Sequence, residues 1–297
     1  MLSILIPIFN YDIRELVNSL AKQCSHSGIE YEIICLDDAS ETNFKINNAA
    51  LKDLPNVRYE QLEKNIGRSS IRNKLASMAT FEHLLFMDCD SAIVTDSYIE
   101  NYIRLIPAYE VIYGGRRYTE SPPDDKAKFL RWKYGSKREQ ISAERRKENP
   151  YLYFLTNNFL IKKSVFEKIR LNEELKGYGH EDTLMAFDMK KNKINILHIE
   201  NPLYHVGLET ADEFLNKTKE GIYNLLYIMQ RYPYATEKIK LVKYYGMVNL
   251  PLIKPLLIFI LNALKNKIYT NIVSASPNLF LFDLFKLSIM LTKNNKH

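Results

Sequence analysis

Cysteine is scarce: Cys24, Cys35 and Cys89 are odd in number and widely spaced, with no Cys-x-x-Cys pair. That argues against a disulfide framework or a zinc site and fits a reducing compartment. A secure membrane-spanning run is also missing, because the apolar stretch 247–265 is broken by Asn249, Pro251, Lys254, Pro255 and Asn262. No internal repeat or low-complexity stretch is evident. The N-terminus, Met1 to Pro7, is apolar but lacks a basic leader and soon reaches Asn10 and Asp12, so it is read as a first strand and not as a signal peptide. What remains is an ordinary globular composition, 26% charged and 46% hydrophobic over 297 residues, enough to bury the core of one large domain or of one domain with an appendage.

The net charge of +6 is unevenly spread: nine lysines lie in 237–297 against two carboxylates, Glu237 and Asp283, while the preceding residues are close to neutral. A basic, apolar tail points to an anionic membrane surface at least as readily as to nucleic acid, and the membrane is the expected partner.

Leu84-Leu85-Phe86-Met87 runs straight into Asp88-Cys89-Asp90-Ser91, the pattern of a buried strand that ends at a site. Two carboxylates one residue apart at a strand end can converge on one hard cation, or on a cation and a sugar hydroxyl; Mg²⁺ or Mn²⁺ prefers oxygen ligands and often keeps phosphate and water as the others. An acidic turn after a core strand is the plainer alternative. Before this point strands are expected at Leu2–Ile8, Glu32–Leu36 and Val57–Leu62, with helices at 12–22 and 69–79 between them. The alternation predicts an α/β domain with a mostly parallel sheet, and Asn10, Asp38, Gly67 and Asp88 all fall beyond carboxyl ends of its strands, where such sheets bind ligands.

Ser3-Ile4-Leu5-Ile6-Pro7-Ile8-Phe9-Asn10, then Glu32 to Ser40 with Asp37-Asp38, then Asn65-Ile66-Gly67 with Ile71-Arg72-Asn73, then Asp88-Cys89-Asp90 resemble, in order and spacing, the motifs of the family-2 inverting glycosyltransferases of the GT-A fold. The resemblance covers about residues 2 to 210. It implies a nucleotide diphosphate-sugar donor, with UDP expected: Asp38 accepts the uracil imide N–H, Pro7, Ile8, Phe9 and Asn10 line the pocket, and Asp37 caps the turn. Gly67 lets the backbone approach the ligand, and Arg68 or Arg72 neutralises phosphate or bonds the base, a surface-helix arginine being the alternative. In the family the first Asp of such a motif commonly touches ribose or metal and the second coordinates the metal that bridges the diphosphate, which implies these roles for Asp88 and Asp90, with Cys89 between them in the nucleotide-sugar site. The Asp-x-Asp also resembles the loop of haloacid-dehalogenase-type phosphatases, but that loop follows the first core strand, and here three strands precede it.

Further on, Gly114 and Gly115 follow the short strand Val111-Ile112-Tyr113, permitting close approach of a sugar ring or pyrophosphate, or forming a tight turn. Residues 119–150 are expected to be an excursion over the site mouth, with Trp132 and Tyr134 stacking on an acceptor sugar or packing against the body. Thr156 to Ile161 reads as a strand with a polar start facing donor or acceptor. Gly177-Tyr178-Gly179-His180-Glu181-Asp182 opens a helix on paired carboxylates. In the family such a pair supplies the base of an inverting transfer, which implies Asp182 as base, with Glu181 binding the acceptor or orienting its neighbour; helix capping is the plainer alternative. A strand is expected at 194–199, and His205 beyond it matches a third metal ligand in many relatives, a surface or hydrogen-bonded histidine being the alternative.

From Ala211 the pattern is helical. Two regions follow from this reading, a 1–210 catalytic domain and a 211–297 helical extension. Leu279 to Leu291, with Asp283, Lys286 and Ser288 nearly on one side, suggests a helix lying on the inner membrane surface, with packing on the body or a homodimer interface as alternatives. The expected function is metal-dependent hexosyl or hexosaminyl transfer to a hydroxyl of a glycan or lipid-linked acceptor in the cytoplasm. A non-catalytic nucleotide-sugar-binding protein on the same fold is the alternative.

Overall fold

The computed structural model describes residues 1–293. The chain divides into two compact units, one built from 1–118, 140–175 and 181–207, the other from 119–139, 176–180 and the residues from 208 onward. The second unit therefore takes in two segments that precede position 210, and the segment 119–150 is shared out between the two.

The first unit carries β1 (Leu2–Ile8), α1 (Arg14–Ser27), β2 (Tyr31–Asp37), α2 (Thr42–Asn48), β3 (Val57–Gln61), α3 (Arg68–Met78) and β4 (His83–Met87). Next come β5 (Ser91–Ile93), α4 (Tyr98–Ile103), β6 (Val111–Tyr113) and β7 (Arg116–Arg117). After α5 (Phe129–Tyr134), which belongs to the second unit, follow α6 (Ala143–Glu148), β8 (Asn158–Lys162), α7 (Lys163–Ile169), α8 (Glu181–Lys191), β9 (Leu197–His198) and β10 (Leu203–His205).

Seven strands form the main sheet in the order β3-β2-β1-β4-β8-β6-β9. The first four are parallel, β8 runs antiparallel to both of its neighbours, and β6 and β9 are parallel. The mixed α/β fold with a mainly parallel sheet is the one expected. The unbroken apolar runs have a simple cause: alternate residues enter opposite cores. Leu5, Leu84 and Phe86 join one cluster, and Ile4, Ile6, Leu85 and Met87 join the other. Phe86 stacks on Phe159 at 4.9 Å and on Phe166 at 5.1 Å between ring centres, a burial that contributes about 1.5–3 kcal/mol.

A second sheet of three short strands, in the order β5-β10-β7, was not expected from the sequence. Its register pairs His205 with Ser91 and Leu203 with Arg116. The strand expected over 194–199 contracts to β9, and β10 takes up the pairing beyond it.

In the second unit α5 is joined by α9 (Ala211–Arg231), α10 (Pro233–Thr236), α11 (Lys240–Val248), α12 (Ile253–Ile272) and α13 (Leu279–Thr292). Thr210 and Glu213 close a reciprocal cap on α9. Phe214, Ile222, Leu225, Leu261, Ile268, Phe282 and Met290 share one core, and Tyr134 packs on Phe214 and Phe282. Tyr134 is thus a packing residue. So is α13, whose Phe282, Leu287, Met290 and Leu291 are buried, against the expectation that it lies on a membrane. Arg131 is buried, and Glu139 and Glu209 compensate its charge at 3.1 and 3.0 Å. The segment 176–180 is held by α9: Asn224 Nδ2 donates to the carbonyls of Lys176, Tyr178 and Gly179, and Glu220 accepts from Tyr178 N–H. The next residue in the chain is Glu181, the first of α8.

Among the described residues no single helix is long and apolar enough to cross a membrane. Taken together α11 and α12 meet that test, but they are bent by 113° at the break between them.

Candidate active site

The loops beyond the carboxyl ends of β1, β2 and β4 are tied to one another by side chains. Asp37 accepts from Ser40 N–H and Tyr59 O–H, holding the turn as expected. Asn10, at φ 51°, accepts from Glu41 N–H on its side-chain oxygen, while its own N–H donates to Ser40 Oγ. Asp38 accepts from Ile66 N–H at 2.7 Å and Gly67 N–H at 3.1 Å, one bond to each oxygen. The two residues expected to read a nucleotide are therefore already engaged in fixing loops, and the remaining lone pairs of Asp38 are what it can offer a base. Pro7 is half-buried and Phe9 is exposed, whereas Ile8 is 1% exposed and belongs to the core, so it does not line a pocket. Gly67 adopts φ 86° ahead of α3, and this backbone conformation, not a close neighbour, is what requires glycine there.

Asp88 departs from the expected metal set. Arg72 Nη2 meets its Oδ1 at 2.5 Å and Arg116 Nη2 meets its Oδ2 at 3.2 Å, so both oxygens face guanidinium groups. Arg72 is itself buried and also donates to the carbonyl of Arg68, which removes the surface-helix alternative.

Asp90 is placed differently. Its Oδ2 lies 3.3 Å from His205 Nδ1, out of line for a hydrogen bond. Among the described residues its buried Oδ1 and both ring nitrogens of His205 have no hydrogen-bond partner. Burial pushes the Asp90 carboxyl up, but the electrostatic pull of the adjacent His205 ring, then of Arg116 and Arg68, outweighs it and holds the group well below the usual carboxylate range. Buried acceptors left without donors are costly, and an anionic oxygen beside an imidazole suits a divalent cation. Asp90 and His205 therefore fit a metal, and Asp88 does not. No cluster of three His, Cys, Asp or Glu occurs among the described residues, so oxygens of a diphosphate and water would have to complete the coordination. Between the two aspartates, burial and the charge of Asp90 push the Cys89 thiol up to about 12, which keeps it neutral and unreactive.

Gly207 is a contributor that the sequence did not single out. A Cβ there would stand 2.5 Å from Asp90 Cβ and 2.7 Å from its Oδ2, while Val206 N–H donates to the Asp90 carbonyl. Gly207→Ala is expected to displace the Asp90 carboxylate, and if Asp90 holds a divalent cation, calorimetry should show Mn²⁺ affinity about tenfold or more weaker than in the wild type.

The paired carboxylates at the start of α8 have opposite environments. Burial acts to raise Glu181, but Arg68, whose Nε lies 2.7 Å from its Oε1, and then Arg72 bring it down to about 2. Burial and the neighbouring Glu181 charge push Asp182 up to about 7, against the bond it accepts from Thr183 N–H. One carboxyl is thus fixed as an anion while the other titrates near neutrality. Arg68 is thus tied to this pair through Glu181.

Gly114 makes its close approach to the protein's own groups: a Cβ there would stand 2.3 Å from Tyr102 Oη and 2.6 Å from Asn158 Nδ2. Asn158, expected to begin a ligand-facing strand end, is fully buried and bonds Tyr98, Tyr102 and the carbonyls of Gly115 and Asn201. Arg146, hidden in a run of surface charge in the sequence, is buried beside this network and donates to the carbonyls of Gly114, Ile141 and Ile199. Its Nε faces His198 Nδ1 at 3.3 Å, and burial together with that cation lowers His198 to about 4, leaving it neutral. These groups brace the segments that lead into β7 and β10, which carry Arg116 and His205.

Comparison with known proteins agrees with this architecture. The chain is 28% identical over 202 residues, 65% of its length, to the poly(ribitol-phosphate) beta-N-acetylglucosaminyltransferase TarP of Staphylococcus aureus (strain N315). It spans 58% and 41% of the lengths of the curated relatives it matches. A solved structure of S. aureus TarS residues 1–349 in complex with UDP-GlcNAc aligns with TM-score 0.53 at 19% identity, covering 98% of this chain and 88% of that one. The Mycobacterium tuberculosis glucosyl-3-phosphoglycerate synthase, solved with Mg²⁺ and UDP, aligns with TM-score 0.53 at 13% identity, covering 76% of this chain and 78% of that one. Both share the fold. The family model for glycosyl transferase family 2 matches residues 3–170, more than half of the sequence, and the chain belongs to that family.

Proposed function

We propose that the protein is an inverting, divalent-metal-dependent glycosyltransferase that moves a hexosyl or hexosaminyl group from a nucleotide diphosphate-sugar, with UDP as the nucleotide, to a hydroxyl of a glycan or lipid-linked acceptor in bacterial surface-polysaccharide synthesis. The observation that carries the reading is the unequal pair at the start of α8, Glu181 held as an anion by Arg68 and Asp182 raised to about 7. A base that titrates near neutral pH is what proton removal from an alcohol in the transition state requires, and a mere binding module has no use for one. The acceptor oxygen forms its bond to the anomeric carbon as the bond from that carbon to the diphosphate oxygen breaks. Its proton passes to Asp182, and the bonding pair departs with the nucleoside diphosphate.

Asp90 and His205 would hold the metal, which when bound supplies a Lewis acid for charge on the leaving group. Asp88 keeps Arg72 and Arg116 aligned as cations for the same phosphates. Asp38, with Pro7, Phe9 and Asn10 beside it, would take the base. The relatives and fold neighbours support the nucleotide and the metal, since one neighbour was solved with UDP-GlcNAc and another with Mg²⁺ and UDP. Support for a polymer acceptor comes from the name of TarP, which specifies poly(ribitol-phosphate). In this reading 1–210 is the catalytic domain, working in the cytoplasm, and 211–297 is an extension that meets the inner face of the membrane.

Release of UDP from a panel of UDP-sugars, with and without Mn²⁺, tests the proposal. One donor is expected to be hydrolysed slowly and in a metal-dependent way without acceptor. If neither UDP nor any UDP-sugar binds, the donor assignment is wrong.

A further inference from the structure

α12 is apolar on both sides. Leu261, Ile268 and Ile272 face the core of the second unit. On the other side Leu252, which immediately precedes the helix, leads into Ile253, Leu256, Phe259, Ile260 and Leu264, a stripe repeating every three to four residues that lies open to solvent, with Leu252 89% and Phe259 72% exposed. An apolar stripe of this length left uncovered marks a docking face, since its exposure opposes solubility and gives the fold nothing.

Charge identifies what covers it. Between Glu237 and Asp283 the sequence has six lysines and no carboxylate. Lys267 lies on the exposed stripe of α12, one turn beyond Leu264, and on α11 the exposed face combines Lys240 and Lys243 with Tyr244 and Met247. A second copy of the chain is a poor occupant, because a twofold interface sets a patch against itself and would bring lysines against lysines. Crossing a bilayer is disfavoured by the 113° bend and by Lys254, Lys265 and Lys267 within α12. A cationic rim around an apolar stripe with aromatic side chains suits the headgroup region of an anionic bilayer, where the stripe sinks to the acyl boundary and the lysines stay with the phosphates.

We infer that the exposed faces of α11 and α12 form a shallow membrane-docking surface selective for anionic lipid. This rests on the proposed membrane contact of the C-terminal extension, to which it assigns a face and a lipid chemistry, and it is independent of the glycosyl-transfer chemistry.

Co-sedimentation of the full chain with vesicles tests it, comparing phosphatidylcholine alone with phosphatidylcholine containing about one third phosphatidylglycerol. Binding is expected on the anionic vesicles, about tenfold weaker on the zwitterionic ones and weaker again at high salt. The doubly substituted Leu256→Glu, Phe259→Glu protein and the Lys240→Glu, Lys243→Glu protein should each lose about tenfold or more in affinity, with unchanged melting temperature and UDP affinity. Wild-type protein that stays in the supernatant, or variants that bind as it does, would overturn the inference. So would sedimentation velocity showing a wild-type dimer that Leu256→Glu with Phe259→Glu dissolves, since a second copy would then cover the face. UDP binding on the same samples keeps a failure here separate from a failure of the enzymatic reading.

Discussion

Asp182→Asn is expected to lower glycosyl transfer by about 10²–10⁴-fold while UDP affinity stays nearly unchanged. The amide is close in size to the carboxylate and cannot take a proton from the acceptor hydroxyl. In the wild type the rate should fall as pH drops through about 7, where Asp182 becomes protonated, and in the variant this limb should vanish. A second readout is independent of activity. Because burial and Glu181 raise the folded-state value from 3.8 to about 7, the folded protein holds a proton that the unfolded chain has released between those two values. Stability therefore declines as pH rises across that window, and the full penalty is present above it. The asparagine variant escapes the penalty, so it should melt higher than the wild type at about pH 8 and nearly together with it at about pH 4. Equal turnover by variant and wild type would remove Asp182 as the base, and equal melting temperatures at the higher pH would remove the environment argued for it.

The parts of this molecule legible in the sequence are those whose signal is local. β1 and β4 were readable because a strand buried on both faces needs an unbroken apolar run, and Leu2–Ile8 and Leu84–Met87 supply it. The carboxylates opening α8 were readable because a helix start is marked by its own residues. The small sheet was not. Strands of two or three residues have no period, and only the pairing of β10 with β5 and β7 brings His205 to Asp90 and Arg116 to Asp88. Asp88 shows the same limit from the other side: spacing suggested a shared cation for both aspartates, but the arginines that occupy Asp88 come from α3 and β7, and no local pattern joins them. Arg146 looked like one more charge in a basic run. Its burial follows from carbonyls of segments far off in the chain that need a donor.

That separation of Asp88 from Asp90 gives the second large expected effect. Asp90→Asn should abolish the Mn²⁺-dependent part of UDP binding and reduce transfer by about 10²-fold or more, because it removes the anionic oxygen that now stands buried without a donor. His205→Ala should do the same to the metal response, with a smaller loss of rate. Asp88→Asn should behave otherwise. The metal response should survive, but Arg72 and Arg116 would face a neutral amide, so UDP binding would weaken in the absence of metal as well as in its presence. Calorimetric titration of UDP into the three variants, with and without Mn²⁺, distinguishes these patterns without relying on turnover. If Asp88→Asn alone erased the metal dependence, the cation would belong with Asp88, and the two arginines would have to move aside when the donor binds. If Asp90→Asn and His205→Ala erased it and Asp88→Asn did not, Asp88 would be a positioning residue for cations that meet the phosphates, and the two carboxylates of one motif would do different work because their neighbours differ.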